Sequence, residues 1–170
     1  AGNPTNLMKP TVMEVCSQCH KQIKSEIQKP SHHPIREGKI KCSDCHNPHG
    51  TNTEKLLTAN SVNEKCFECH SEKRGPFLWE HAPVTESCLT CHVPHGSAHD
   101  KLLRIKRPYL CQQCHSFSRH PGTFYGIKQS DKDAGKKVYD VLSSRQYYRG
   151  CVQCHPLIHG SNHPSGWHFS

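Results

Sequence analysis

The chain has 170 residues, 33% hydrophobic and 7% aromatic, with a formal charge of +8 when histidine is neutral. That is too little apolar side chain for an ordinary packed core. No apolar run reaches the roughly 18 residues of a transmembrane helix, and the lysines are scattered, not gathered into the basic stripe that nucleic-acid binding needs. In chain order, residues 1–12 read as a polar, proline-containing tail without an apolar h-region, as expected of a chain whose signal peptide has been removed. Segments 13–28 and 61–72 have helical patterning. Pro48 and Pro94 are expected to stop short helices, and Gly50 and Gly96 to allow the reversal that follows. Within 122–150, KQSDKDAGKK reads as a solvent loop and VYDVLSSRQYY as a helix. Strand content is expected to be negligible.

The 12 cysteines decide the class. All fall in CxxC pairs, and a histidine follows each pair: Cys16, Cys19 and His20; Cys42, Cys45 and His46; Cys66, Cys69 and His70; Cys88, Cys91 and His92; Cys111, Cys114 and His115; Cys151, Cys154 and His155. CxxCH is the attachment signature of haem c. Two thiols three residues apart on one helical turn can form thioethers to two vinyl groups of one porphyrin, and the next residue then binds iron from below. Zinc ribbons and disulfides use the same cysteines, but neither needs a histidine after every pair. With 16 histidines in 170 residues, six of six by chance is on the order of one in a million. The sequence therefore implies six covalently bound haem c groups. Their propionates would turn the +8 into about −4, and ferric bis-imidazole irons would restore about +2. The basic excess neutralises cofactors.

Six irons need six further axial ligands. The two methionines, Met8 and Met13, both precede the first motif, so most sites cannot pair methionine with histidine. Ten histidines lie outside the motifs, and they recur in order. His33, His81 and His120 follow the odd motifs, each near a proline; His49, His95 and His159 follow the even motifs, each before glycine. These six are the predicted distal ligands, with His32 competing with His33 and His163 with His159. His99 and His168 fall outside the pattern and read as surface residues. The fold expected is mostly irregular with short α-helices, with the haems as its core. Residues 13–170 form one hexahaem domain of three two-haem repeats, at about 13–65, 66–110 and 111–170. Phe67, Phe77, Trp79, Tyr109, Phe117, Tyr147 and Trp167 are expected to pack on porphyrin edges. A bis-histidine iron has no open position for a substrate, so the reading is electron transfer and not an enzyme. His49 cannot reach the far face of the haem that His46 holds, so it serves another haem, and the short phrase CSDCHNPHG joins two cofactors.

The segments SHHPIREGKIKCSDCHNPHG, EKRGPFLWEHAPVTESCLTCHVPHG, PYLCQQCH and CVQCHPLIHGSNHPSGWHFS resemble the MtrA/DmsE-type decahaem periplasmic cytochromes, from about residue 13 to the end. The resemblance implies a chain of bis-histidine haems that passes electrons from periplasmic or inner-membrane donors towards the outer membrane. It also implies a redox partner, often an outer-membrane porin, and a periplasmic or extracellular location. That family has ten haems, and this chain resembles its last six motifs. The other reading of the residues is a subunit of a polymeric extracellular cytochrome filament. The spare histidines and the polar tail would serve there to join copies of the chain.

Overall fold

The computed structural model describes residues 11–115, 151–164 and 166. The chain is mostly irregular, with short helices that serve the cysteine motifs. Helix α1 (Val12–Cys16) starts where the Thr11 side chain accepts the Glu14 N–H, and it delivers the first cysteine. Helix α2 (Lys21–Glu26) follows after a break at His20, whose backbone is not helical (φ −88°, ψ 60°). Helix α3 (Cys42–Cys45) is the second motif itself. Helix α4 (Val62–Phe67), capped by Ser61, carries the third. Helix α5 (Ala82–Glu86) has proline in its first turn, and a 3₁₀ turn over Cys88–Thr90 carries the fourth motif. Helix α6 (Tyr109–Gln112) carries the fifth, and a 3₁₀ turn over Cys151–Gln153 the sixth.

The helical pattern over 13–28 and 61–72 is thus real but interrupted. In all six motifs the histidine N–H bonds the carbonyl of the first cysteine, at 2.9–3.0 Å. This single helical turn puts both cysteines and the histidine on one side of the backbone. At His20 and His70 the backbone then leaves the helix, which breaks each predicted helix in two.

The role given to proline needs correction. Helix α3 ends at Cys45, with His46 already extended (φ −120°, ψ 136°), so Pro48 does not stop it. Gly50 does make a reversal at φ +121°. Gly96 does not: it lies in strand β2 (Gly96–Ser97), which pairs antiparallel with β1 (Ser31–His32). Its need for glycine is close approach, because a Cβ there would sit 1.9 Å from the Glu26 carbonyl oxygen.

Two loops are copies of each other. After His46 the chain runs out and returns at Leu57, and after His92 it returns at Leu103. Asn47 and Val93 N–H bond the Leu56 and Leu102 carbonyls, and Thr58 and Arg104 N–H bond those of Cys45 and Cys91. Each return passes through two left-handed residues, Lys55 and Leu56 (φ 58° and 56°) or Lys101 and Leu102 (φ 55° and 57°). Such a conformation costs roughly 1–2 kcal/mol per residue without glycine.

Among the described residues the buried apolar side chains are Ile27 and Leu103. That is no core of the usual kind, as the composition required. The C-terminal segment docks by backbone pairing: Trp79 and Ser161 exchange two hydrogen bonds of 2.9 Å. Leu78 N–H bonds the Asn162 side chain and the Trp79 indole bonds the His163 carbonyl. Phe77 lies over Gly160, where a Cβ would come within 2.2 Å of its ring.

Candidate haem ligand sites

Histidine rings meet two by two. His33 and His70 have ring centres 6.3 Å apart; His46 and His95, 6.2 Å; His81 and His115, 6.1 Å; His92 and His159, 6.2 Å. The last three pairs are stacked within 28° of parallel. Two metal–imidazole bonds of about 2 Å, plus roughly 1.1 Å from each nitrogen to its ring centre, span about 6 Å. The observed spacing therefore fits one iron between two imidazoles, with each pair joining a motif histidine to a trailing histidine. Among the described residues, no group of three or more histidines, cysteines and carboxylates gathers as a metal cage.

Four of the six predicted distal ligands take part in these pairs: His33, His81, His95 and His159. All four are half-buried. Burial pushes His81, His95 and His159 down from the ordinary histidine range, which favours the neutral imidazole that a metal requires. His49 is exposed, and among the described residues its ring meets no other histidine. His120 and His168 lie outside the described residues, as do Phe117, Tyr147 and Trp167.

The competing histidines have contacts of their own. Both ring nitrogens of His32 are engaged: Nδ1–H donates to the Lys29 carbonyl at 2.6 Å, and Nε2 lies 3.1 Å from a Glu37 carboxylate oxygen. That contact with His32 holds the Glu37 carboxyl down at about 2. His163 sits in a turn in which its N–H bonds the Ser161 hydroxyl. His99 occupies the same place relative to Ser97, and Thr53 relative to Thr51. His99 therefore belongs to the repeat, as a turn residue.

The second ring nitrogens show how the pairs are aimed. His46 Nδ1–H donates to the Lys55 carbonyl at 2.7 Å and His92 Nδ1–H to the Lys101 carbonyl at 2.8 Å. These are the left-handed residues of the two copied loops, so each strained turn presents a carbonyl that fixes its motif histidine's tautomer and leaves Nε2 for the iron. His33 Nδ1–H donates to the Pro94 carbonyl. His95 Nδ1 lies 3.6 Å from the Glu26 carboxylate. His81 Nδ1 is buried and faces the Ile158 carbonyl without reaching hydrogen-bond geometry. The sequence signal for the loops is the repeated string HNPHGTNTEKLL and HVPHGSAHDKLL, with KLL at the return of each.

The cysteines connect neighbouring motifs. Burial pushes the Cys42 thiol up, and the hydrogen-bonded Cys16 thiol adds to this. Burial and Cys88 push Cys66 up to about 12, and burial and Cys151 push Cys111 up to about 11. Cys45 lies within electrostatic reach of Cys69, and Cys91 of Cys114. None of the 12 is joined in a disulfide, so each is left to form a thioether. First cysteines thus meet across motifs one and two, three and four, and five and six; second cysteines approach across two and three, and four and five. Tyr109 is exposed, while Phe67, Phe77 and Trp79 are half-buried.

Paired attachment motifs and opposed imidazoles define a multihaem c-type cytochrome. Residues 32–75 and 81–120 each match the doubled CXXCH motif family; these units are half a repeat out of phase with the one drawn from sequence, and share its two-haem period. Over 160 residues the chain is 51% identical to the multiheme cytochrome MtrA of Shewanella baltica (strain OS185), covering 94% of this chain and 46% of that protein. The chain is thus similar to the MtrA-type multihaem cytochromes, and spans about half the length of that relative. Among the described residues no helix is long and apolar enough to cross a membrane.

Proposed function

We propose that this cytochrome holds six covalent haem c groups and passes electrons along them between protein partners on the periplasmic or extracellular side of a cell, without converting a substrate. The observation that carries this reading is the set of four opposed imidazole pairs. Bound haem c supplies a reversible one-electron iron couple. At each of these four pairs the chain closes both faces of the iron, so small molecules are excluded there and the electron is what remains to exchange. His33, His95, His81 and His159 are the distal ligands of the third, second, fifth and fourth haems respectively. The chain of cysteine contacts supports a haem order that follows the sequence, one to six.

The ligand pairs support a second, interleaved connection. Pro94 aims His33 towards the third haem, and the next residue, His95, faces the second; His92 and His95, in one phrase, bridge the fourth and second. Neighbouring cofactors are thereby fixed close together. The partners are a donor and an acceptor cytochrome or porin–cytochrome complex, as the relationship to MtrA suggests. Intact mass of the mature protein tests the count: six haems above the polypeptide are expected, and any other number overturns it. Electron microscopy separates carrier from filament, since uniform fibres of the purified protein would replace the carrier reading.

A further inference from the structure

Two short ladders in the chain are built alike. In the first, Ser31 and His32 pair antiparallel with Ser97 and Gly96. In the second, Trp79 pairs antiparallel with Ser161 through two hydrogen bonds of 2.9 Å. Two residues further along each register, His33 lies opposite His95 and His81 opposite His159. The strands SHH and WEH share only that histidine, whereas the strands facing them, PHGS and IHGS, share their last three residues. Each ladder therefore holds the trailing histidines of two different imidazole pairs.

The matching strands are fixed in the same way. Gly96 and Gly160 each pass too close for a Cβ, which would meet the Glu26 carbonyl oxygen at 1.9 Å or the Phe77 ring at 2.2 Å. Ser97 and Ser161 are buried, and their hydroxyls accept the His99 and His163 N–H at 2.9 Å. The carbonyl just before each ligand looks across the ladder: the Pro94 carbonyl accepts from His33 Nδ1–H, and the Ile158 carbonyl faces the buried His81 Nδ1. One dipeptide thus offers a ring to one iron and a carbonyl to the ligand of another. The links between motifs alternate accordingly. Hydrogen-bonded first cysteines join motifs one and two, three and four, and five and six. The ladders join the ligands of motifs two and three, and of motifs four and five.

Resting on the bis-histidine reading of the four pairs, we infer that each ladder is a clasp that positions the distal ligands of two consecutive haems: β1–β2 those of the second and third, the Trp79–Ser161 bridge those of the fourth and fifth. Trp79 and Ser161 are positioning residues, which act on the irons through His81 and His159. An antiparallel ladder resists sliding, because a slip of one residue breaks its paired bonds and turns every side chain to the other face. The two imidazoles of a clasp therefore keep one spacing, and both leave their irons when the ladder opens. The clasps give a rigid link to the two-to-three and four-to-five steps of the array, where the cysteines of neighbouring motifs come only within electrostatic reach.

The test uses the haem-loaded protein of residues 1–170. His159→Ala and His81→Ala supply reference spectra for an open fourth and an open fifth haem, each with one added equivalent of carbon monoxide after reduction. Proline lacks the N–H that Ser161 gives to the Trp79 carbonyl. Ser161→Pro is expected to add two equivalents of carbon monoxide and to show both reference spectra at once, with the second and third haems still low-spin. Ser161→Ala keeps the N–H and is expected to add none. Asn162→Ala, which loses the bond from Leu78 N–H, is the milder variant: carbon monoxide should enter the fourth and fifth haems at one common rate, at least tenfold above the parent. Fewer than two added equivalents in Ser161→Pro, or unequal or unchanged rates in Asn162→Ala, overturns the inference. Where Ser161→Pro opens every haem, the Asn162→Ala rates decide. If neither His159→Ala nor His81→Ala opens a haem, the ligand reading itself fails and the clasp with it; failure of the clasp alone leaves those two results intact.

Discussion

The rings of His92 and His159 lie within 17° of parallel with centres 6.2 Å apart, although two CXXCH motifs intervene between them in sequence. What brings them together is the docking of residues 160–163 on Phe77, Leu78 and Trp79. The ligand proposed for the fourth haem is therefore delivered by a segment anchored on residues 77–79.

His159→Ala is expected to open the fourth haem. One low-spin ferric signal should become high-spin, and the reduced protein should gain one equivalent of carbon monoxide. The docked segment itself should persist, since its hydrogen bonds are made by Ser161, Asn162 and His163. Electron paramagnetic resonance with a carbon monoxide titration reads both effects; unchanged stoichiometry would remove His159 from the ligand set.

His32 and His33 are adjacent, and the geometry assigns them opposite roles. His33→Ala should open the third haem, because His33 faces His70. His32→Ala should leave the low-spin content unchanged and lose the contact to Glu37, an exposed interaction of the kind worth little to stability. Comparing the two variants' absorption in the charge-transfer region settles the choice. If His32→Ala opens a haem and His33→Ala does not, the assignment reverses.

The motif chemistry was legible in the sequence because covalent haem attachment is local: two cysteines and a histidine must share one turn. The four trailing histidines that meet motif histidines were legible too, since His33, His81, His95 and His159 recur with the motifs. Which motif each one faces was not, because the pairing skips a motif in both directions and depends on chain paths such as the β1–β2 contact. His32 shows the limit of reading neighbours: SHHP offers two candidates, and the contacts of the His32 ring with the Lys29 carbonyl and Glu37 cannot be read from the string. Gly96 shows another, since a turn glycine and a close-approach glycine look the same after histidine.

Glu26 is expected to tune the second haem. Its carboxylate sits 3.6 Å from His95 Nδ1, where it makes the imidazole a stronger donor and favours ferric iron. Glu26→Gln removes the charge at nearly constant shape. The potential of one haem should rise on the order of tens of millivolts, with low-spin content unchanged. Spectroelectrochemical titration of the variant beside the parent checks this; superimposable curves would mean that the carboxylate does not act on His95.

Gly96→Ala should be among the most damaging single-methyl changes in the chain. The added Cβ would lie 1.9 Å from the Glu26 carbonyl oxygen and 2.7 Å from its carbonyl carbon, and both are backbone atoms that no rotamer change can move. Relief requires β2 to separate from the end of α2. That would loosen the pairing of Ser31 with Ser97 and His32 with Gly96, and shift His95 and Pro94 beside it. A loss of about 2–3 kcal/mol is expected, which lowers Tm by several degrees in a protein of this size. Gly38→Ala is the matched control: it too has positive φ, at +72°, but nothing lies within 4 Å of its Cβ. It should cost only the local backbone strain, about 1–2 kcal/mol. The second and third haems should be disturbed in Gly96→Ala alone, because His95 and the carbonyl that aims His33 flank that strand. Thermal melts followed in the Soret band, with a carbon monoxide titration of both variants, separate strain from collision; equal losses and equal spectra would refute the close-approach role of Gly96.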